Sequence, residues 1–335
     1  MKDSSLNPQP LRTLLLSVAS AFLLLGCAQQ TTPITSEAVQ LETLSGTLHG
    51  TLALPAGEGL FTAALIHPGS GPTDRNGNGA PGVLETDALK LLAEALAQNG
   101  IASLRIDKRG VGESARALTS EEILRFDTYV EDAAAWLGWL RQDPRFDTLA
   151  VVGHSEGALV GLLAAEQADA SLYVSIAGAG KSAGDILRQQ LSQQLPAELM
   201  QEVEVVLTSL EAGETVDPLP EGLASVPALA NLFRLSVQPY LISWFQYDPA
   251  QEISTLDIPT LIIQGTTDLQ VPEEDAQALK AAQPEAELII VEGMNHVLKD
   301  APADPAANQA TYTNPELPLA DGLVEPLAAF LEETE

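Results

Sequence analysis

The chain has 335 residues, which suits one large α/β domain or two small ones, and its 45% hydrophobic content suffices for a core despite only 4% aromatics. A formal charge of −30 argues against nucleic acid and anionic membrane surfaces as partners, because the long-range field repels both, and it disfavours highly anionic substrates. So many acids otherwise read as a solvated, solubilising surface.

Residues 1–26 read as a targeting signal. Lys2 and Arg12 lie in a polar n-region, and "LLLSVASAFLLL", Leu14 to Leu25, is the apolar segment. It falls short of the roughly 20 residues that a membrane-spanning helix needs. "LLGC", Leu24 to Cys27, resembles the bacterial lipobox, although Leu25 is larger than the residue usual there. The resemblance implies a lipid on Cys27, export, and an anchor in a bacterial membrane. A plain secretory signal with an incidental cysteine is the alternative. Cys27 is the only cysteine, so the chain has no internal disulfide whatever its compartment. Residues 27–38, polar and proline-containing, read as a tether.

From Val39 to Pro55 an alternating pattern around a glycine turn predicts two antiparallel strands. "FTAALIH" (61–67) reads as a buried strand before the glycine-rich loop "PGSGPTDRNGNG". A helix is predicted over Asp87 to Gln98, then the strand "IASLRID", the loop "KRGVGES", and an amphipathic helix from Thr128 to Arg141 carrying Trp136 and Trp139 on or near its buried side. Further strands are predicted at 149–152, 171–178, 259–265 and 286–293. Apolar strands alternating with helices imply a mostly parallel sheet with helices on both faces. Between 181 and about 255 the alternation stops, and two helical stretches rich in large apolar groups predict a cap over the strand ends, where sites form in open α/β sheets. A helical appendage that buries its own core elsewhere is the bland alternative.

"LAVVGHSEGALVGLLAAE", residues 149–166, places Ser155 between Gly153 and Gly157 where an apolar run meets helical spacing. A nucleophile elbow needs that spacing, because the turn is sharp and a Cβ at either glycine would strike neighbouring backbone. The bare motif is weak, and its strand–turn–helix context gives it specificity. A serine hydroxyl needs a base, and the base needs an acid to orient it. Of four histidines, His49 lies in the first strand pair, and His67 ends a strand where backbone hydrogen bonding is the usual role. His154 adjoins the serine with a side chain expected to leave the turn in another direction. His296, in a loop after the last predicted strand, remains. Asp268, just after the preceding strand, is the candidate acid; Asp257 precedes that strand and Asp275 lies in a predicted helix. Two backbone N–H groups are candidate oxyanion donors: that of Glu156, directly after the nucleophile, and that of Ser70, with Gly71 as second choice. The Glu156 side chain is expected only to favour the helix dipole. This chemistry requires no cofactor and no metal.

"HPGSGPTDRNGN", "RIDKRGVGES", "GHSEG", "QGTTDLQVP" and "GMNHVLK", in this order, resemble a bacterial family of α/β-hydrolase esterases often labelled serine-aminopeptidase-like hydrolases. The resemblance runs from about residue 40 to the C-terminus and includes "QPYLISWFQYDP" at the cap's return. It implies an α/β-hydrolase fold over 39–335 with a helical cap, hydrolysis of small-molecule carboxylic esters, Ser155, Asp268 and His296 as triad, and Ser70 and Glu156 as oxyanion donors. An aminopeptidase on the same machinery needs an acidic patch for a free amine, and Glu211, Glu214, Asp217 and Glu221 in the cap keep it open. An acyl thioesterase is disfavoured by export and by the acidic charge, and a non-catalytic binding protein by the full set of motifs. Arg75, Arg105, Lys108, Arg109 and Arg116 cluster on two predicted loops, where pairing with Asp74, Asp107 and Glu113 is expected ahead of a less negative mouth to the site.

Overall fold

The computed structural model describes Met1 and residues 34–332. The expected signal segment, Cys27 and the first part of the tether lie outside the described residues. Eight strands form one sheet: β1 (Thr35–Thr43), β2 (Gly46–Leu54), β3 (Phe61–His67), β4 (Ala102–Ile106), β5 (Phe146–His154), β6 (Leu172–Ile176), β7 (Thr260–Gly265) and β8 (Glu287–Val291). Their spatial order is β1-β2-β4-β3-β5-β6-β7-β8. The run from β4 to β8 is parallel throughout, whereas β2 joins β4, and β1 joins β2, antiparallel. This mostly parallel mixed sheet with flanking helices is the α/β-hydrolase fold.

The continuous apolar runs follow from burial on both faces, because successive strand residues point to opposite sides. In β5, Leu149 and Val151 enter one core while Ala150 and Val152 enter the other. The first core receives α2 (Phe126–Leu140), α3 (Glu156–Gln167) and α10 (Glu273–Ala282). The second receives α1 (Ala88–Gln98) and α12 (Val324–Glu332). Trp136 is fully buried and Trp139 packs partly buried beside it.

One boundary differs from expectation. β1 begins at Thr35, so residues 35–38, assigned above to the tether, pair with β2 from Thr35↔Leu54 onward. Their polarity is compatible with a strand because β1 is the sheet edge, and none of its residues is fully buried.

Between β6 and β7 lie α4 (Ala183–Ser192), α5 (Ala197–Glu211), α6 (Glu221–Ser225), α7 (Pro227–Leu232), α8 (Gln238–Trp244) and α9 (Pro249–Ile253). They carry their own buried row, including Val203, Leu207, Leu223 and Phe233, continuous with the first core. Aromatic packing joins them to the main body: Trp244 of α8 stacks on Phe126 of α2 at 5.8 Å with rings nearly parallel, and Tyr240 meets Tyr129 edge-on at 5.7 Å. The Phe126 N–H, unpaired within its own helix at the first turn, donates to Ser243 Oγ at 2.8 Å. After β8, a loop leads through the short α11 (Pro305–Gln309) to α12.

Candidate active site

β5 ends at His154 and α3 starts at Glu156, leaving Ser155 alone to reverse the chain, with φ 55° and ψ −123°. A non-glycine residue there costs on the order of 1–3 kcal/mol. The neighbours hold it: the Ser155 N–H donates to Ile176 O at 3.0 Å, across to the end of β6. Space decides the flanking residues. A Cβ on Gly153 would lie 2.2 Å from Gly157 O, and one on Gly157 would lie 2.4 Å from His67 O.

The strand ends bring three expected side chains together. Ser155 Oγ–H donates to His296 Nε2 at 3.1 Å, and His296 Nδ1–H donates to Asp268 Oδ2 at 2.8 Å. Asp268 sits in the turn after β7 with its side chain 1% exposed. The N–H groups of Gln270 and Val271 donate to its Oδ1 at 2.7 and 3.0 Å, and Gln264 Nε2 donates to Oδ2 at 3.1 Å. Burial pushes this carboxyl up, but His296 and the two amides outweigh it, and its pKa lies below the ordinary value. The other two aspartates stand elsewhere. Asp257 is exposed before β7, and Asp275 is buried in α10, where its Oδ1 accepts from the Gly180 N–H at 2.9 Å.

Of the remaining histidines, His67 lies buried against its own chain, with Nδ1 3.0 Å from Pro68 O. His154 departs from expectation. Its ring turns toward the site, and Nε2–H donates to the carbonyl oxygen of His296 at 2.8 Å. Burial first, and then the charge of His296, push its pKa down to about 4, so it stays a neutral donor. Adjacency to the serine alone could not reveal this contact, which spans 142 positions.

Ser70 follows β3 in the loop beside Ser155, and both residues border the same two cavities. Glu156 opens α3, so its N–H is one of the helix's unpaired first-turn donors. Its side chain corrects the expectation of a mere helix-dipole role. It is 2% exposed, and Oε1 lies 3.4 Å from Nζ of the equally buried Lys108. Nζ also donates to Gly69 O at 2.5 Å. Burial pushes the Lys108 pKa below its ordinary value while Glu156 opposes that shift.

Of the other clustered cations, Arg75 pairs as expected and Arg109 with a changed partner, whereas Arg105 donates to Asn76 Oδ1 and, like Arg116, has no acid partner among the described residues. Arg75 binds Asp107 at 2.6 Å and also reaches Glu113, while Arg109 binds Asp132 at 2.5 Å. Asp74, expected to pair with a cation, instead accepts from the N–H groups of Asn76 and Asn78 at 2.8 and 2.9 Å, closing its own loop.

Two cavities meet at Ser155. The larger, of about 650 Å³, runs under the cap past Leu159, Ile186, Leu187, Leu232, Leu241 and Trp244. The smaller, of about 90 Å³, is bordered by His296, Leu84 and Tyr312. Among the described residues Glu156, already paired, is the single acidic one bordering either cavity.

Residues 85–300 match the family described as Hydrolase_4: Serine aminopeptidase, S33. The chain belongs to this family of α/β-hydrolases. Among curated relatives, it is 29% identical over 257 residues to Esterase EstD of Thermotoga maritima, spanning 75% of this chain and 58% of that protein. The chain thus spans less than two thirds of the length of the curated relative it matches. The fold is also that of the Pyrococcus furiosus esterase Pf2001, with TM-score 0.54 at 17% identity, covering 89% of this chain and 92% of that one. Est1E from Butyrivibrio proteoclasticus gives TM-score 0.52 at 16% identity, covering 82% and 94%. The family match covers Ser155, Asp268, His296, Lys108 and the cap, whereas Ser70 lies before it.

Proposed function

We propose that this S33-family chain hydrolyses carboxylic esters of small to medium acyl groups through an acyl-enzyme. Ser155 is the nucleophile, His296 the base and then the acid, Asp268 the group that orients His296, and Ser70 and Glu156 the oxyanion donors. One observation carries the reading: the Ser155–His296–Asp268 chain of hydrogen bonds lies at the foot of a cavity lined mainly by apolar side chains.

In the first half-reaction His296 Nε2 takes the Ser155 proton as Oγ attacks the ester carbonyl carbon. The carbonyl oxygen gains the negative charge and lies against the two N–H groups. The imidazolium, stabilised by Asp268, then gives the proton to the departing alkoxide, and the alcohol leaves. Water repeats the sequence on the acyl-enzyme and releases the acid. The alcohol oxygen must depart beside His296, which borders the smaller cavity and not the larger. We therefore assign the acyl chain to the 650 Å³ space under the cap and a compact alcohol to the 90 Å³ space.

The aminopeptidase alternative needs a carboxylate for the substrate's free amine. Neither Glu211, which pairs with Arg188 at 2.5 Å, nor Glu214, Asp217 or Glu221 borders a cavity at Ser155. Measured side by side, nitrophenyl esters should be turned over and aminoacyl anilides left intact. The reverse preference overturns the ester reading. The lipobox resemblance supports export and attachment to a bacterial membrane through Cys27, and the acidic charge supports a function without nucleic acid.

A further inference from the structure

The "RIDKRG" turn holds a buried cation that the mechanism above does not use. Lys108 follows β4 by two residues, its side chain is 1% exposed, and it borders neither cavity at Ser155. Its ammonium nevertheless touches Glu156, which carries one oxyanion donor, and the carbonyl of the peptide whose N–H, that of Ser70, is the other. Nζ meets Gly69 O at 2.5 Å on one side and Glu156 Oε1 at 3.4 Å on the other, with the Tyr129 ring 5.1 Å away over a third direction.

The Gly69 carbonyl and the Ser70 N–H belong to one planar trans peptide, so they point in opposite directions. A carbonyl drawn to Lys108 turns the Ser70 N–H away from Lys108, and among the described residues that N–H has no hydrogen-bond acceptor. The peptide lies against the nucleophile, because a Cβ on Gly69 would come within 3.1 Å of Ser155 Cβ. Thr73 Oγ1 holds the next carbonyl, that of Ser70, at 2.8 Å, and so the donor is fixed from both sides. Glu156 presents the opposite problem. Its N–H favours an anion, but its carboxylate, buried close by, repels one.

We propose that Lys108 is a positioning residue for ester hydrolysis. It orients the Gly69–Ser70 peptide so that the Ser70 N–H faces the developing oxyanion, and it neutralises the Glu156 carboxylate beneath the same hole. The proposal rests on the ester-hydrolase reading of the site.

The test uses the full chain and two variants, Lys108→Met and Lys108→Met/Glu156→Gln. The double variant removes both buried charges, so no lone carboxylate is left in the interior to unfold it. Misplacing a catalytic contact by about an ångström costs on the order of 10²-fold, and losing one oxyanion donor costs about 10²–10³. We expect kcat to fall about 10²-fold in both variants with KM within about threefold. A phenylboronic acid, whose boron bonds Ser155 Oγ to form an anionic tetrahedral adduct, should lose affinity by the same factor as kcat. An N-alkyl amide of the same acyl group, bound in its ground state, should keep its inhibition constant. Recovery of kcat in the double variant would limit Lys108 to neutralising Glu156 and overturn the positioning role. Equal losses of boronate and amide affinity would overturn it too, leaving general support of the fold. If the wild-type protein hydrolyses no ester, the functional reading fails, and the boronate comparison still decides whether Lys108 shapes the anion site.

Discussion

Replacing Asp268 by asparagine changes one atom, and the surroundings dictate which way the new amide faces. Oδ1 accepts from two backbone N–H groups, at 2.7 and 3.0 Å, and these keep an oxygen at that position. The amide nitrogen must then take the place of Oδ2, 2.8 Å from His296 Nδ1 and 3.1 Å from the donor Nε2 of Gln264. His296 Nδ1 is forced to accept, so the ring proton moves to Nε2, which can no longer take the Ser155 proton. The charge that stabilises the imidazolium is lost as well. For a triad aspartate these two effects together cost about 10⁴ in rate, about 5.4 kcal/mol at 1.36 kcal/mol per decade. We expect kcat for a nitrophenyl ester to fall by about 10³–10⁴ in Asp268→Asn, with KM little changed and the circular dichroism spectrum intact. Asp257→Asn, at an exposed position, should match wild type. Asp275→Asn should lower Tm, because the carboxylate that accepts from Gly180 N–H is buried, and leave kcat near wild type. Retention of most activity by Asp268→Asn would refute the acid assignment, while leaving Ser155 and His296 standing.

Three further outcomes are expected. Trp244 lines the cap cavity, so Trp244→Ala should shift preference toward longer acyl chains while fluorophosphonate labelling of Ser155 proceeds at its wild-type rate; an unchanged chain-length profile would remove it from the acyl site. Buried His154 has its pKa lowered from 6.5 to about 4, and His67 from 6.5 to about 3, chiefly by burial. Between those values and 6.5 the unfolded chain binds protons that the folded chain refuses. The stabilisation is therefore whole above pH 6.5 and lost as pH falls, amounting for His154 to about 3 kcal/mol by pH 4. Tm should decline from pH 6.5 to 4, less steeply in His154→Gln, and a flat Tm over that range would refute the argument. Cys27→Ala should abolish acylation and move the protein from the membrane to the soluble fraction; unchanged mass and fractionation would dismiss the lipobox reading.

The sheet and the elbow were legible because their causes are local. Strands buried on both faces need unbroken apolar runs, as at Leu149 to Val152, and a one-residue turn with no room for a Cβ needs glycine at 153 and 157. Elimination among four histidines led to His296, and the post-strand position led to Asp268. The structure brings both to Ser155. The start of the sheet was read four residues late, since an edge strand carries no burial signal strong enough to separate it from a polar tether. Trp244 and Phe245 are neighbouring large apolar residues of the cap, alike in the sequence. Of the two, Trp244 borders the cavity and Phe245 packs into the core, a distinction set by which way the last residue of α8 and the one after it point.

Charges were the least legible part, for a physical reason. A cation in the sequence announces its sign, but its partner is whatever the fold places within a few ångströms, and water or a buried acid serves equally well until then. Lys108 and Arg109 are adjacent in the chain, yet their acids lie 48 and 23 positions away, and that of Arg75 lies 32 away. Arg75 ties its loop to the end of β4, and Arg109 ties its loop to α2. Lys108 differs because a lone ammonium in that interior would cost several kcal/mol, and the groups that offset this cost are Glu156 and the carbonyl before Ser70. A charge kept dry at such expense beside a nucleophile, when an apolar side chain of similar length would fill the space, is better explained by what it does to the neighbouring peptide than by what it adds to stability.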